Sequence, residues 1–251
     1  MPEGRARALF SSQPLPRLSP WARARDALRF VARPTPYAAR HPWSLALVTA
    51  LASLFVLHLA IDWAATWLLE TGDGWAGFLP LPRPDERPQR DVILSAVVLA
   101  PVLEEALHRG WLSGRIAALR FAAFGFAATG CMLLGLTVGA RGEGLLTLAG
   151  VVIALVGFAQ WLITRKRDTA VPAWFTRHFA LVVWGGSLVF GVLHLGIYQP
   201  VTHPLGLLVV APQLIGGLLL AYVRTRLGLR AAMLHHAAYN ALFLTGEAWP
   251  G

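Results

Sequence analysis

Apolar stretches broken by short polar joints set the pattern of this chain. Apolar residues dominate seven windows, near 43–69, 92–112, 121–140, 144–164, 178–198, 204–223 and 229–246. Each is close to the roughly 20 residues that cross a hydrocarbon core as a helix. Backbone groups in lipid must pair within their own segment, so the pattern predicts an all-α, polytopic membrane bundle of about seven transmembrane helices. The third and fourth windows are joined by Arg141-Gly142-Glu143-Gly144, which reads as the tight turn of a membrane hairpin. The last window is the least apolar, because it carries His235, His236 and Asn240. Residues 1–42 stand apart as a basic segment ahead of a membrane-embedded domain over 43–251, with no internal repeat and no second soluble domain.

Composition agrees with lipid as the solvent. Only 14% of the 251 residues are charged, against about 25% in soluble domains. Ten Trp and 24 Gly fit interface anchors and close helix contacts. The net charge of +9 does not point to nucleic acid, because the arginines lie between apolar runs and sort by loop. The N-terminal segment and the joints holding Arg115/Arg120, Arg165-Lys166-Arg167 and Arg224/Arg226/Arg230 are basic; the alternate joints hold Glu70, Asp73, Asp85, Glu86, Asp91 and Glu143. That alternation predicts a cytoplasmic N-terminus and an external C-terminus in what is read as a bacterial inner membrane. Trp21, Leu28, Phe30 and Val31 among the N-terminal arginines suggest a short interfacial helix, with a disordered basic tail as the alternative, rather than a cleaved signal peptide. Cys131 is the single cysteine, which excludes a disulfide framework and a cysteine metal site.

An ionisable residue inside a span costs several kcal/mol unless paired, and is a functional candidate for that reason. Asp62 lies near one end of the first window and reads as interfacial. Glu104 and Glu105, in the second, do not. Adjacent helical residues point about 100° apart, so the two carboxylates take different roles. Glu105 and Arg109 are spaced i,i+4 with the acid first, the favoured order for a helical ion pair. Glu104 is left to face the interior. Two later windows place Phe190 and His194 on one face, and His236 and Asn240 on another. His235 sits off the Asn240 face, and His41, His58, His178 and His203 fall near span ends or in loops.

Together Glu104-Glu105-x-x-x-Arg109, Phe190-x-x-x-His194 and His236-x-x-x-Asn240, each on its own helix, resemble the CPBP family of intramembrane proteases, which holds type II CAAX prenyl endopeptidases and bacteriocin-processing or immunity proteins. The run from Gly216-Gly217 to Gly228 resembles that family's approach to its third motif. The resemblance covers about 92–245, and the hairpin over 121–164 is an insertion between the first two motifs. It implies an endopeptidase acting on a membrane-associated protein or peptide, such as a C-terminal membrane tail. Glu104 is the expected general base, His194 orients water, His236 and Asn240 stabilise the oxyanion, Arg109 positions Glu105, and Phe190 packs against the site. A cofactor-free reaction is expected; were zinc used, Glu104, His194 and His236 would be its ligands.

Other classes leave other marks. A non-catalytic immunity or scaffold protein would share the family but need no intact trio. A proton-coupled transporter would use Glu104/Glu105 as a relay but show an inverted repeat. A rhomboid-like Ser187–His194 pair would sit seven residues apart on one helix, about 10 Å in rise and too far for a hydrogen bond. One strain follows from simple depth. His194 stands about 24 Å along its window and His236 about 10 Å along its own, so the fifth helix should begin earlier, near Trp174, if the two histidines are to meet.

Overall fold

The computed structural model describes residues 18–36 and 41–247, all helical or connecting, with an isolated antiparallel bridge between Pro82 and Tyr198 and no strand among them. Arg5, Arg7, Arg17 and Arg40 of the basic segment lie outside the described residues.

Helix α1 (Pro20–Ala32) begins where Ser19 accepts from the Ala22 amide and Pro20 takes the first helical position. Helix α2 (Leu45–Ala76) is capped by Ser44 and stopped by Gly77, whose φ of 62° gives the left-handed turn a side chain would resist. The second window is a compound helix: α3 (Gln89–Ile93), a π-helical stretch over Leu94–Leu99, α4 (Ala100–His108) and a 3-10 turn over Gly110–Ser113. Next come α5 (Ile116–Gly135), α6 (Gly139–Thr164), the short α7 (Ala173–Arg177) and α8 (Phe179–Leu193). Short 3-10 turns over His194–Ile197 and Pro204–Val210 precede α9 (Ala211–Arg226) and α10 (Leu229–Glu247).

Among the described residues, five helical segments are long and apolar enough to cross a membrane: Leu45–Ala76, Ile116–Gly135, Gly139–Thr164, Phe179–Ile197 and Pro204–Arg226. The other two windows are the compound helix and α10. They fall short because they carry the carboxylates, histidines and asparagine of two motifs.

Helix α9 is the hub. Its most apolar window is 56% buried, against 11% for α6. Leu218 to Thr225 are buried without a break, and α2, α8, α10 and α1 pack around them. Two glycines make that density workable. A Cβ on Gly216 would stand 3.0 Å from His58 Nε2, and one on Gly217 would stand 3.2 Å from Arg109 Nη2. Polar side chains from two other helices therefore reach the α9 backbone at these positions.

The α5–α6 hairpin lies at the edge. Its helices pack chiefly on each other, through Gly150 against the Ala128 carbonyl and Gly157 against Phe124. Leu107 of α4 fills the notch at Gly125 and ties the hairpin to the bundle. The turn is not Arg141-Gly142-Glu143-Gly144, as the polarity suggested. It lies over 136–138, and Gly139 at φ 77° opens α6, so Arg141 and Glu143 stand in its first turns.

Helix α7 begins at Ala173, and His178 interrupts the run before α8, so the helical path does start near Trp174. Phe175 and Phe179 stack edge-on and are buried, with Phe30 of α1 against Phe179. The start of α8 therefore lies on the basic side of the packed layer. At its far end, the α2–α3 loop is pinned to the residues after His194: the Arg83 amide donates to Ile197 O at 2.8 Å and the Gln199 amide to Leu81 O at 2.9 Å.

Candidate active site

Pro101 organises the first motif before any carboxylate is considered. Having no amide hydrogen, it cannot close the helical bond to a carbonyl one turn back. The Ala100 amide bonds Ser95 O, the wider π spacing, and the Ala96 carbonyl loses both of its usual donors. Asn240 of α10 replaces them: its Nδ2 donates to Ala96 O at 2.7 Å. A carbonyl only accepts, so this bond also fixes which end of the carboxamide is nitrogen.

One turn later the carboxylates separate as their angular offset requires. Glu105 is fully buried and its Oε1 accepts from Arg109 Nη1 at 2.6 Å. Arg109, 2% exposed, also lies over the Phe190 ring, 3.9 Å from its centroid. The carbonyls left over at the end of α4 are taken by Arg224, whose Nε and Nη2 reach Arg109 O at 3.0 Å and Gly110 O at 3.3 Å. Arg224 is thus a buried capping residue within α9, not the loop arginine that its basic neighbourhood implied.

His236 stands between the two carboxylates. Its Nδ1 is 3.0 Å from Glu105 Oε1, and its Nε2 is 3.9 Å from Glu104 Oε2. A deprotonated carboxylate only accepts, so Nδ1 donates, and the tautomer that does so presents a lone pair at Nε2. The Glu104 side chain is 32% exposed, and Oε2 is buried without a hydrogen-bond partner. His194 repeats the arrangement, with Nδ1 2.7 Å from Phe190 O, which leaves its Nε2 bare as well. The Phe190 ring links the two, 4.5 Å from the His194 ring and 6.1 Å from that of His236. Ser187 is buried and packs on Gly217.

Of the seven residues named from sequence, Glu104, Glu105, Arg109, Phe190, His194 and His236 are thus linked through side-chain contacts, and Asn240 stands one turn from His236 on α10. No group of three or more His, Cys, Asp or Glu among the described residues is placed to hold a metal ion. The Glu104, His194 and His236 donors do not form such a set, and no step below is routed through a metal.

Five polar residues escaped the sequence reading. His58 and Asp62 are not terminal or interfacial: they are 2% and 4% exposed, one turn apart on α2. His235, set aside as off the motif face, is 1% exposed and faces them. His58 Nδ1 and His235 Nε2 are 3.0 Å apart, the Tyr239 ring stacks on His58 at 4.4 Å, and the Tyr239 hydroxyl lies near Asp62. The spacing His58/Asp62 matches His235/Tyr239, each i,i+4, which is the one sequence signal that would have paired α2 with α10. His108, also buried, packs edge-on against Phe190 and Phe126. His41, His178 and His203 lie at helix ends or joints, as expected.

A protein-family model described as Type II CAAX prenyl endopeptidase Rce1-like matches residues 91–242, more than half of the chain. No curated protein and no solved structure matches it.

Proposed function

We propose, from the premise that the chain belongs to the Rce1-like type II CAAX prenyl endopeptidase family, that it hydrolyses a peptide bond of a membrane-associated protein or peptide with water activated by Glu104. Family membership itself implies a membrane protease; the roles of individual residues are our reading. The observation that carries it is the 3.9 Å gap between Glu104 Oε2 and His236 Nε2. That distance is too long for a direct hydrogen bond and suits one water between two acceptors.

In this scheme Glu104 takes a proton as the water oxygen bonds to the scissile carbonyl carbon. The Nε2 lone pair of His236 accepts the water's other hydrogen and aims its lone pair, while His194 borders the same site across the Phe190 ring. The second N–H of Asn240 donates to the oxyanion. The proton on Glu104 then passes to the leaving nitrogen as the C–N bond breaks. If His236 becomes protonated on the way, its Nε2–H joins the oxyanion donors and Glu105 balances its charge. Arg109 keeps Glu105 ionised in place and so holds the His236 ring.

The test is cleavage of a membrane-anchored peptide in detergent by the wild type, Glu104→Gln, His194→Ala and His236→Ala. Loss of about 10²–10⁴-fold for Glu104→Gln at unchanged thermal stability is expected. Full activity in Glu104→Gln would sink the mechanism, and activity lost to a chelator and restored by zinc would replace it.

A further inference from the structure

A cavity of about 940 Å³ opens at the basic end of the bundle, where the start of α10 meets the two loops that flank the α5–α6 hairpin. Its lining carries Arg115, Arg165, Lys166 and Arg230 together with the indoles of Trp43 and Trp161, and no Asp or Glu among the described residues. Arg165 lies over the Trp161 ring at 4.9 Å. Arg224 also reaches the lining, but it is committed to the Arg109 and Gly110 carbonyls. Leu47, Ala117 and Leu227 form an apolar wall below the cations. Glu104, His194 and His236 do not line it, so this is not the hydrolytic site.

Gathering cations in a concavity costs repulsion, because low-dielectric walls focus their common field. The cost is offset when an anion occupies the focus. The surroundings narrow which anion. The cavity sits where charged loops meet lipid-facing helices, and indoles at that level mark the headgroup layer. Basic pockets between membrane helices at such a level suit phosphate-bearing lipid headgroups. The apolar wall suits the glycerol and first methylenes that a free phosphate lacks.

We propose that this cavity binds the headgroup of an anionic phospholipid. The inference stands on the cavity alone and does not depend on the protease reading.

Lipid-stripped protein in a zwitterionic detergent is titrated with short-chain phosphatidylglycerol or phosphatidylcholine, and the bound lipid is counted by native mass spectrometry. Saturable binding of one phosphatidylglycerol is expected, with none of phosphatidylcholine at the same concentration. Lys166→Gln/Arg230→Gln removes two exposed lining cations and should weaken binding by about tenfold or more. Arg167→Gln/Arg177→Gln removes the same charge from exposed positions that do not line the cavity, and should leave binding within about twofold. Equal weakening by both pairs would reduce the effect to a diffuse basic surface and overturn the site. Displacement by glycerol 3-phosphate at equal concentration would make it a free-phosphate site. Displacement by a peptide with a free C-terminal carboxylate, but not by its amide, would make it a substrate subsite. Either result overturns the lipid assignment.

Discussion

Asn240 joins two functions in one carboxamide. One N–H holds the carbonyl that Pro101 strands, and in the proposed mechanism the other donates to the oxyanion. Asn240→Ala should therefore cost stability as well as activity, by about 1–3 kcal/mol for the unsatisfied Ala96 carbonyl. The origin of that cost is separable by a double-mutant cycle. Pro101→Ala restores an amide that can reach Ala96 O or Val97 O, so Asn240→Ala should destabilise less in that background, as read by thermal unfolding in detergent. Equal costs in both backgrounds would mean that Asn240 does not serve the carbonyl. Arg109→Ala leaves a fully buried carboxylate without its cation, and about 3–5 kcal/mol of destabilisation is expected. Arg109→Lys should recover part of the stability but less of the activity, because a point charge cannot lie flat on Phe190.

Among elements, sequence periodicity was most informative where each helix carried its own signal. The motif residues on α4, α8 and α10 could be assigned to faces because each pair is spaced i,i+4 or adjacent. Which helices meet is a different question, and hydropathy does not answer it. His58 and Asp62 sit in a thoroughly apolar helix, and only contact with α10 shows that they are buried polar partners. The hairpin turn was misplaced for a related reason. Arg141 and Glu143 are polar, but on the first turns of α6 they stay exposed without leaving the helix, and the chain reverses at uncharged Leu136-Thr137-Val138. The hairpin interface itself offers a clean measurement. A Cβ on Gly157 would lie 2.4 Å from Phe124 Cβ, so Gly157→Leu should separate α5 from α6. Expected are a loss of about 1–3 kcal/mol and faster proteolysis of the 136–138 turn, with little change in catalytic rate, because α6 is remote from Glu104.

For the whole molecule, the burial gradient from α9 outward decides what each part contributes. Helix α1 is tied to the hub by Tyr222, which donates to Asp26 at 2.7 Å, and by Phe30, 2% exposed between Phe179 and Tyr222. Phe30→Ala should lower stability by about 3 kcal/mol, read by the same unfolding assay, because it opens a void against α9. A surface-helix value near zero would show that α1 is not part of the core. The fold class and five of the seven expected spans were legible from hydropathy alone. The central place of α9 was not, since burial on all sides looks the same in sequence as exposure to lipid on all sides.

The His58–His235–Tyr239–Asp62 ladder has a consequence for modularity. The family match begins at residue 91, yet two rungs of this ladder belong to α2, well before that boundary. The matched region is therefore not a self-sufficient cassette. Transplanted without α2, it would carry His235 and Tyr239 into lipid without their α2 partners, next to His236, to which the proposed mechanism gives a role. Exchange of parts between relatives should succeed when α2 and α10 travel together, and fail when the junction is drawn at the edge of the shared motif.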